Sequence, residues 1–331
     1  MLRCDHPVSR EQDAAPAVHA LPPLDVLLAA PRGFCAGVRR AIEAVEDALR
    51  VHGAPVYVRR AIVHNLTVVR ALEAKGAVFV QELKEVPEGA TVVLSAHGVP
   101  RAVLAEAEER GLRTVDAVCP LVAKVHREVV RHHRGGRRVV LIGHAGHPEI
   151  VGTLGQVPEG SALVVETEAD VAALPIERAS PVAYAVQTTF SVDEAASVVV
   201  ALRDRFADLA APPASDICYA TSNRQAALKA IVREVDAVIV VGEHFSSNAC
   251  RLAELARASG CPSVQLVAGA DDIDWALLRD RRRLGITAAA STPESSVSGI
   301  LAALGQRFAV TVREAEAAVE ESVFFKPLKV A

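Results

Sequence analysis

Three cysteines in this chain have the placement needed for metal or redox chemistry. Cys35, Cys119 and Cys218 are 84 and 99 residues apart. Each stands between a short apolar segment (DVLLAAPRGF, TVDAV and ASDI) and a helical pattern beginning near Val38, Leu121 and Asn223. A thiol at a helix start sits among unpaired backbone N–H groups, whose positive potential favours the metal-binding thiolate. In parallel α/β units the strand ends and helix starts open on one face, so three such units could aim three thiolates at one centre. Three thiolates can hold three corners of a 4Fe–4S cluster and leave the fourth iron open to substrate. Read singly, each cysteine is more simply a small buried hydrophobe. The dense C-x2-C spacing of small ferredoxins is absent, so these ligands meet only through the fold. Cys4, Cys250 and Cys261 lack the same context and read as structural or incidental.

Polar residues gather at other strand ends. His64 lies in VHN, His97 in SAHG and His147 in GHAGHPE; Ser246, Ser247 and Asn248 follow the apolar run AVIVV, and Ser291 ends TAAAS. Imidazoles, hydroxyls, an amide and helix starts together suit a bound pyrophosphate. Neither a Walker A lysine motif nor a GxGxxG follows the first strand. Helix capping explains most of the Ser and Asn positions taken one at a time. A zinc site built from the three histidines is a competing reading, although no HExxH motif supports it. His132 and His133 belong to a basic surface run, and His144 either faces the pocket or shapes its loop. Glu149 opens a helix, where burial would raise its pKa and suit it to proton donation; alternatively it only favours the helix dipole. The hydroxyl of Thr188, in QTT, could orient Glu149 or a substrate oxygen.

These residues need an α/β frame. Short apolar runs at 25–30, 56–58, 77–80, 91–95, 139–142, 162–165, 183–187, 237–241, 263–267 and 284–288 read as strands, with amphipathic patterns such as 38–49 and 66–75 between them. Buried strands alternating with helices predict largely parallel sheets. The strand–cysteine–helix repeat predicts three similar α/β modules at 37–119, 120–214 and 215–305. Residues 24–36 then supply a strand and cysteine loop to the third module. Residues 1–23 read as a loose extension, and 306–331 as a tail whose VFFKPLKV docks.

Composition sets the outer limits. The chain has 331 residues, 51% hydrophobic and 4% aromatic, with 36 Lys and Arg against 40 Asp and Glu for a net charge of −4. A core of several modules is possible, and a general nucleic-acid binder is not favoured. Six cysteines in a chain this long do not make a disulfide framework. No run of 18 apolar residues and no signal-peptide core occurs, so the expectation is a cytoplasmic protein with no membrane partner.

Taken together the motifs resemble the 4-hydroxy-3-methylbut-2-enyl diphosphate reductase family, the last step of the non-mevalonate isoprenoid pathway. The pieces are PRGFCAGV (31–38), IVHN (62–65), SAHGVP (95–100), VDAVCPLV (115–122), GHAGHPEIVG (143–152), QTTFSVDE (187–194), ICYATSNRQ (217–225), SSN (246–248) and AAASTPE (288–294), in family order. The resemblance implies a three-lobed, pseudo-threefold arrangement around one 4Fe–4S cluster with three cysteine ligands, Cys35, Cys119 and Cys218, and one open iron. It implies that His64, His97, His147, Thr221, Ser246, Ser247, Asn248 and Ser291 bind the substrate, that Glu149 delivers protons and that Thr188 orients both. The implied reaction is two-electron reductive dehydroxylation of the allylic diphosphate to isopentenyl and dimethylallyl diphosphate. An external one-electron donor such as ferredoxin or flavodoxin is implied too. Val118, the GEHF stretch through Phe245, and Ala289 depart from the family's usual residues.

Overall fold

The computed structural model describes residues 21–317 and 319–330. Cys4 and most of the expected 1–23 extension lie outside the described residues. Strand β1 (Pro23–Leu28) and helix α1 (Ala36–His52) come first. Then follow β2 (Val56–Arg59), α2 (Leu66–Glu73), β3 (Ala77–Val80), β4 (Thr91–Leu94), α3 (Arg101–Glu109) and β5 (Arg113–Asp116). Helix α4 (Pro120–Arg134) leads into β6 (Arg138–Ile142), α5 (Pro148–Leu154), β7 (Ala162–Val165), α6 (Glu168–Ala173), β8 (Val182–Val186), α7 (Val192–Arg205) and β9 (Leu209–Ala210). Helix α8 (Tyr219–Ile231) leads into β10 (Ala237–Val241), α9 (Ser247–Ala258), β11 (Val264–Val267), β12 (Arg283–Ala288), α10 (Glu294–Gly305) and β13 (Ala309–Glu314).

The strands form three separate sheets, ordered β3-β2-β4-β5, β7-β6-β8-β9 and β11-β10-β12-β1-β13. Every pairing is parallel. All three share one plan: the first strand entered lies between the second and the third, and a fourth follows the third. In the third sheet that fourth place is taken by β1, whose Asp25–Leu28 pair with Arg283–Ile286 of β12. The central strands β4, β8 and β10 are buried along their whole length, as parallel strands covered on both faces must be. Helix α1 shows how a helix covers a face. Its buried Ala41, Ala44, Val45 and Ala48 repeat at helical spacing, and they pack on Val56, Val58 and Val93.

Two local expectations need correction. The ASDI segment before Cys218 is not a strand. Strand β9 ends at Ala210, because Pro212 and Pro213 remove the N–H donors a longer ladder would need. Helix α8 begins at Tyr219, directly after Cys218, rather than near Asn223, because the cysteine itself caps it. Residues 309–314 form an unanticipated strand parallel to β1. Beyond it, Leu328 and Val330 pack on the core beneath α1, and Arg40 Nε donates to the Lys326 carbonyl at 3.1 Å. Among the described residues no helix is long and apolar enough to cross a membrane.

Candidate active site

The shared sheet plan brings equivalent strand ends together. The ends of β2, β6 and β10 carry His64, then His147 with Glu149, then Ser246, Ser247 and Asn248. The ends of β4, β8 and β12 carry His97, Thr188 and Ser291. The fourth-place strands β5, β9 and β1 lead to Cys119, Cys218 and Cys35. All of these residues, with Thr221 from the first turn of α8, line one cavity between the modules. Its empty space, mouth included, is about 760 Å3, within the range of small-molecule sites.

The cysteines occupy matching positions. Each is the N-cap of a long helix: Cys35 of α1, Cys119 of α4 and Cys218 of α8. Each backbone N–H donates to the loop after a third strand: Cys35 to Ala290 O (3.2 Å), Cys119 to Ala96 O (2.9 Å) and Cys218 to Thr188 O (3.0 Å). The Sγ of Cys35 accepts from Val38 N–H at 3.4 Å, and that of Cys218 from Thr221 N–H at 3.3 Å. A Cβ on Gly37 would stand 2.8 Å from Cys119 Sγ and 3.8 Å from Cys35 Sγ. The missing side chain therefore leaves a cradle between two sulfurs.

For Cys119 and Cys218, the expectation that a helix start favours the thiolate is corrected by burial. Burial, with the neighbouring cysteines adding to it, pushes Cys119 up to about 12 and Cys218 up to about 11. With no protein cation to offset burial, the natural partner for these sulfurs is a soft metal centre, which deprotonates a coordinating thiol outright. Among the described residues no three His, Cys, Asp or Glu side chains close around a single-ion site. All three cysteines nevertheless line the same cavity.

The histidines face one another across the opposite wall. The rings of His64 and His97 stack at 4.1 Å between centroids, and His147 meets them edge-on at 5.5 and 5.9 Å. Burial lowers His64 to about 4 and His147 to about 3; it drives His97 well below the usual imidazole value, with its two neighbours adding repulsion. At neutral pH these are neutral rings offering one N–H donor each. The Oγ of Ser291 donates to the His64 carbonyl at 3.0 Å, joining the third module to the first. His144 points elsewhere: its Nδ1 lies 3.2 Å from Glu166 Oε2, and its ring packs on Phe190.

Glu149 is 2% exposed. Its Oε1 accepts from Thr188 N–H at 2.6 Å and its Oε2 from Thr188 Oγ1 at 2.7 Å. Burial raises its pKa to about 7, with the charge of Asp216 adding to the rise and the two Thr188 bonds opposing it. The value is that of a group able to give a proton near neutrality.

Several residues at the site were not singled out by sequence. The bonds from the cysteine N–H groups make Thr189 the counterpart of His97 and Ser291. It lines the cavity, and its Oγ1 lies 3.1 Å from Ser247 Oγ. Gln187 anchors this corner, donating to Thr189 Oγ1 at 2.7 Å and accepting from His144 N–H at 2.9 Å. Tyr219 accepts from Ala36 N–H at 3.1 Å, tying the start of α8 to the Cys35 loop. Phe325 of the tail also lines the cavity. Tyr219 had a usable signal, since it directly follows a cysteine; Phe325 had none beyond tail hydrophobicity. The departures have structural roles as well. Glu243 Oε1 accepts from Leu66 N–H at 2.9 Å and so caps α2, just beyond His64. The Phe245 ring meets His64 edge-on at 5.8 Å.

A family model described as LytB protein matches residues 26–305. The chain belongs to the LytB family. Relatives named 4-hydroxy-3-methylbut-2-enyl diphosphate reductase include one from Beijerinckia indica, 54% identical over 305 residues, covering 92% of this chain and 95% of that protein. Another, from Cereibacter sphaeroides, is 55% identical over 306 residues, covering 92% and 96%. Among solved structures, the E-1-hydroxy-2-methyl-but-2-enyl-4-diphosphate reductase from Plasmodium falciparum superposes with a TM-score of 0.87 at 35% identity, covering 93% of this chain and 96% of that one. The three parallel sheets are thus the LytB fold, and the cavity lies where its three lobes meet.

Proposed function

We infer that this chain is a 4-hydroxy-3-methylbut-2-enyl diphosphate reductase. It replaces the substrate's hydroxyl by hydrogen, consuming two electrons and two protons and releasing water, to give isopentenyl and dimethylallyl diphosphate. The observation that carries this reading is the union, in one cavity, of three capping cysteines with a buried, hydrogen-bonded carboxyl group and a cluster of neutral imidazoles and hydroxyls.

Cys35, Cys119 and Cys218 are the residues that would hold the family's iron–sulfur cluster. Three thiols, with no fourth lining the cavity among the described residues, fit a 4Fe–4S cluster having one iron open to substrate. When bound, that cluster supplies one-electron transfers and Lewis-acid polarisation of the leaving hydroxyl. The chain's own side chains do the rest. His64, His97 and His147, with Ser246, Ser247, Asn248 and Ser291, bind the diphosphate and align the carbon chain, which is a positioning role. Binding a multiply charged anion draws protons onto imidazoles that burial keeps neutral in the empty protein. Glu149 gives its proton to the departing oxygen. Thr188 holds that carboxyl group in place through both of its hydrogen bonds, and Thr221 completes the polar wall beside Cys218. The electrons come from an external one-electron donor, for which a ferredoxin or flavodoxin is the fitting class.

The test is anaerobic purification with iron and sulfide counts, followed by a reductase assay on 4-hydroxy-3-methylbut-2-enyl diphosphate with a chemical one-electron reductant. The expected result is an iron–sulfur protein that turns the substrate over. Stoichiometric zinc without iron, or a loaded cluster with no turnover, would overturn the reading.

A further inference from the structure

A second concave surface lies on the outside of the molecule, where α3, α4 and the turn after α5 meet. It is lined by Arg101, His126, Arg127, Arg131, Arg134 and Gln156, with Val130. Arg127, Arg131 and Arg134 recur at four- and three-residue spacing and so share one face of α4. Arg101, the first residue of α3, lines the same groove. Among the described residues none of these four forms an ion pair. The Arg131 side chain has one hydrogen-bond partner among the described residues, His132 Nε2 at 3.3 Å. Arginines elsewhere are of both kinds: Arg137, Arg224 and Arg251 are paired with acids, whereas others, such as Arg70 and Arg113, are not among the described residues; what sets these four apart is that they line one groove. The acid on α4, Glu128, belongs to another row, beside Lys124. Arg131 and Arg134 complement the negative end of α4. Arg127, about two turns earlier, and Arg101, on another helix, do not.

Two uncharged features complete the groove. His126 Nε2 is buried with no hydrogen-bond partner. Its ring abuts Gly98, where a Cβ would lie 2.5 Å from Cε1 and the positive φ of 76° also requires glycine. Gln156 Nε2 donates to Val99 O at 2.8 Å and Gly152 O at 2.9 Å. The floor of the groove is therefore the reverse side of the loop that carries His97.

We propose that this groove is a second anion site, which binds the diphosphate group of a small soluble ligand. Guanidinium forks match phosphate oxygens two at a time, and the mutual repulsion of four unpaired cations is relieved by a multiply charged anion. No Phe, Tyr or Trp lines the groove, so it offers nucleobases no stacking platform, and the net charge of −4 does not favour a polynucleotide.

The experiment is calorimetric titration of the intact, cluster-loaded protein with inorganic diphosphate. Two sites are expected. The double variant Arg127→Gln/Arg131→Gln weakens one of them by about tenfold or more, roughly 1.4 kcal/mol. It leaves the other site, and turnover at saturating substrate, unchanged. Peptide mapping of the unaltered protein gives a readout that needs no variant: diphosphate protects Arg127 and Arg131 from phenylglyoxal. Equal affinity for ADP, dimethylallyl diphosphate and inorganic diphosphate assigns recognition to the diphosphate alone, and a clear gain for one of the two organic ligands identifies its source. Unchanged binding in the double variant, or no protection at saturating diphosphate, overturns the proposal. So does a duplex oligonucleotide that binds these arginines and is not displaced by diphosphate. Loss of the cavity's own site would count against the reductase reading and leave the groove untouched.

Discussion

The two sides of the cavity obey different rules. The cysteine side is the same in all three modules: a fourth-place strand, a capping cysteine, a long helix, and an N–H bond to the third-strand loop. The facing side is different in each. The first module contributes two imidazoles, the second an imidazole with a carboxyl group and two threonines, and the third hydroxyls and an amide. A pseudo-threefold scaffold suits a compact, nearly symmetric group on one side. A substrate with a diphosphate at one end and a hydroxyl at the other is asymmetric, and it needs donors that differ from place to place. The repeat is kept on the cysteine side, where a nearly symmetric group would sit, and broken on the side that would meet an asymmetric substrate.

The largest effect comes from breaking the symmetric side. Cys119→Ser is expected to abolish turnover and lower the iron and sulfide content of anaerobically purified protein; a full iron count with a normal spectrum would remove Cys119 from the ligand set. Next comes Glu149→Gln, which keeps the cluster and substrate binding and lowers turnover by about 10²–10⁴-fold, the usual worth of a positioned acid. Single-turnover rates with pre-reduced protein check this, and near-normal rates would end the proton-donor role. Thr188→Val removes one bond to the same carboxylate and costs roughly tenfold in turnover. Because that bond lowers the pKa of Glu149, its loss shifts the pH profile upward; an unmoved profile would mean the hydroxyl acts on something else.

Titration sharpens the contrast further. Glu149 holds its proton in the folded protein up to about pH 7, against 4.5 ordinarily. The stability this provides is complete below 4.5 and is lost as pH rises through about 7. Turnover falls along the same upper limb as the donor deprotonates. A pH series of melting temperature and turnover tests both, and Glu149→Gln should flatten each curve. The smallest effect is expected from Ser291→Ala, which removes the bond to the His64 carbonyl and one of the several hydroxyls that bind the diphosphate. It costs about 1 kcal/mol, seen as a KM several times higher with kcat preserved.

Much of this was legible in the sequence because the chemistry sits in short, unbroken motifs. Glu149, Thr188 and the three histidines each lie beside a strand whose apolar run is plain, so type and placement could be read together. The alternation of fully apolar strands with amphipathic helices announced parallel sheets. What could not be read was anything set by strand order. The equivalence of Thr189 with His97 and Ser291 exists only through the cysteine N–H bonds. Strand β9 is two residues long, too short to show a period, and β13 is largely exposed, so it lacks the apolar signature of the others. The raised pKa of Cys119 and Cys218 could not be read either, because a helix start is visible in sequence and burial is not.

The place of β1 in the third sheet has a consequence for how the molecule is made. The strand leading to Cys35 is the first of the described strands to leave the ribosome, yet its partners β12 and β13 are the last two. The first two sheets can assemble during synthesis, and with them the seats of Cys119 and Cys218. Cys35 caps α1, which packs on the first sheet, but the strand before it pairs only with β12 and β13, so a group held jointly by the three cysteines gains its complete seat only once those last strands have been made.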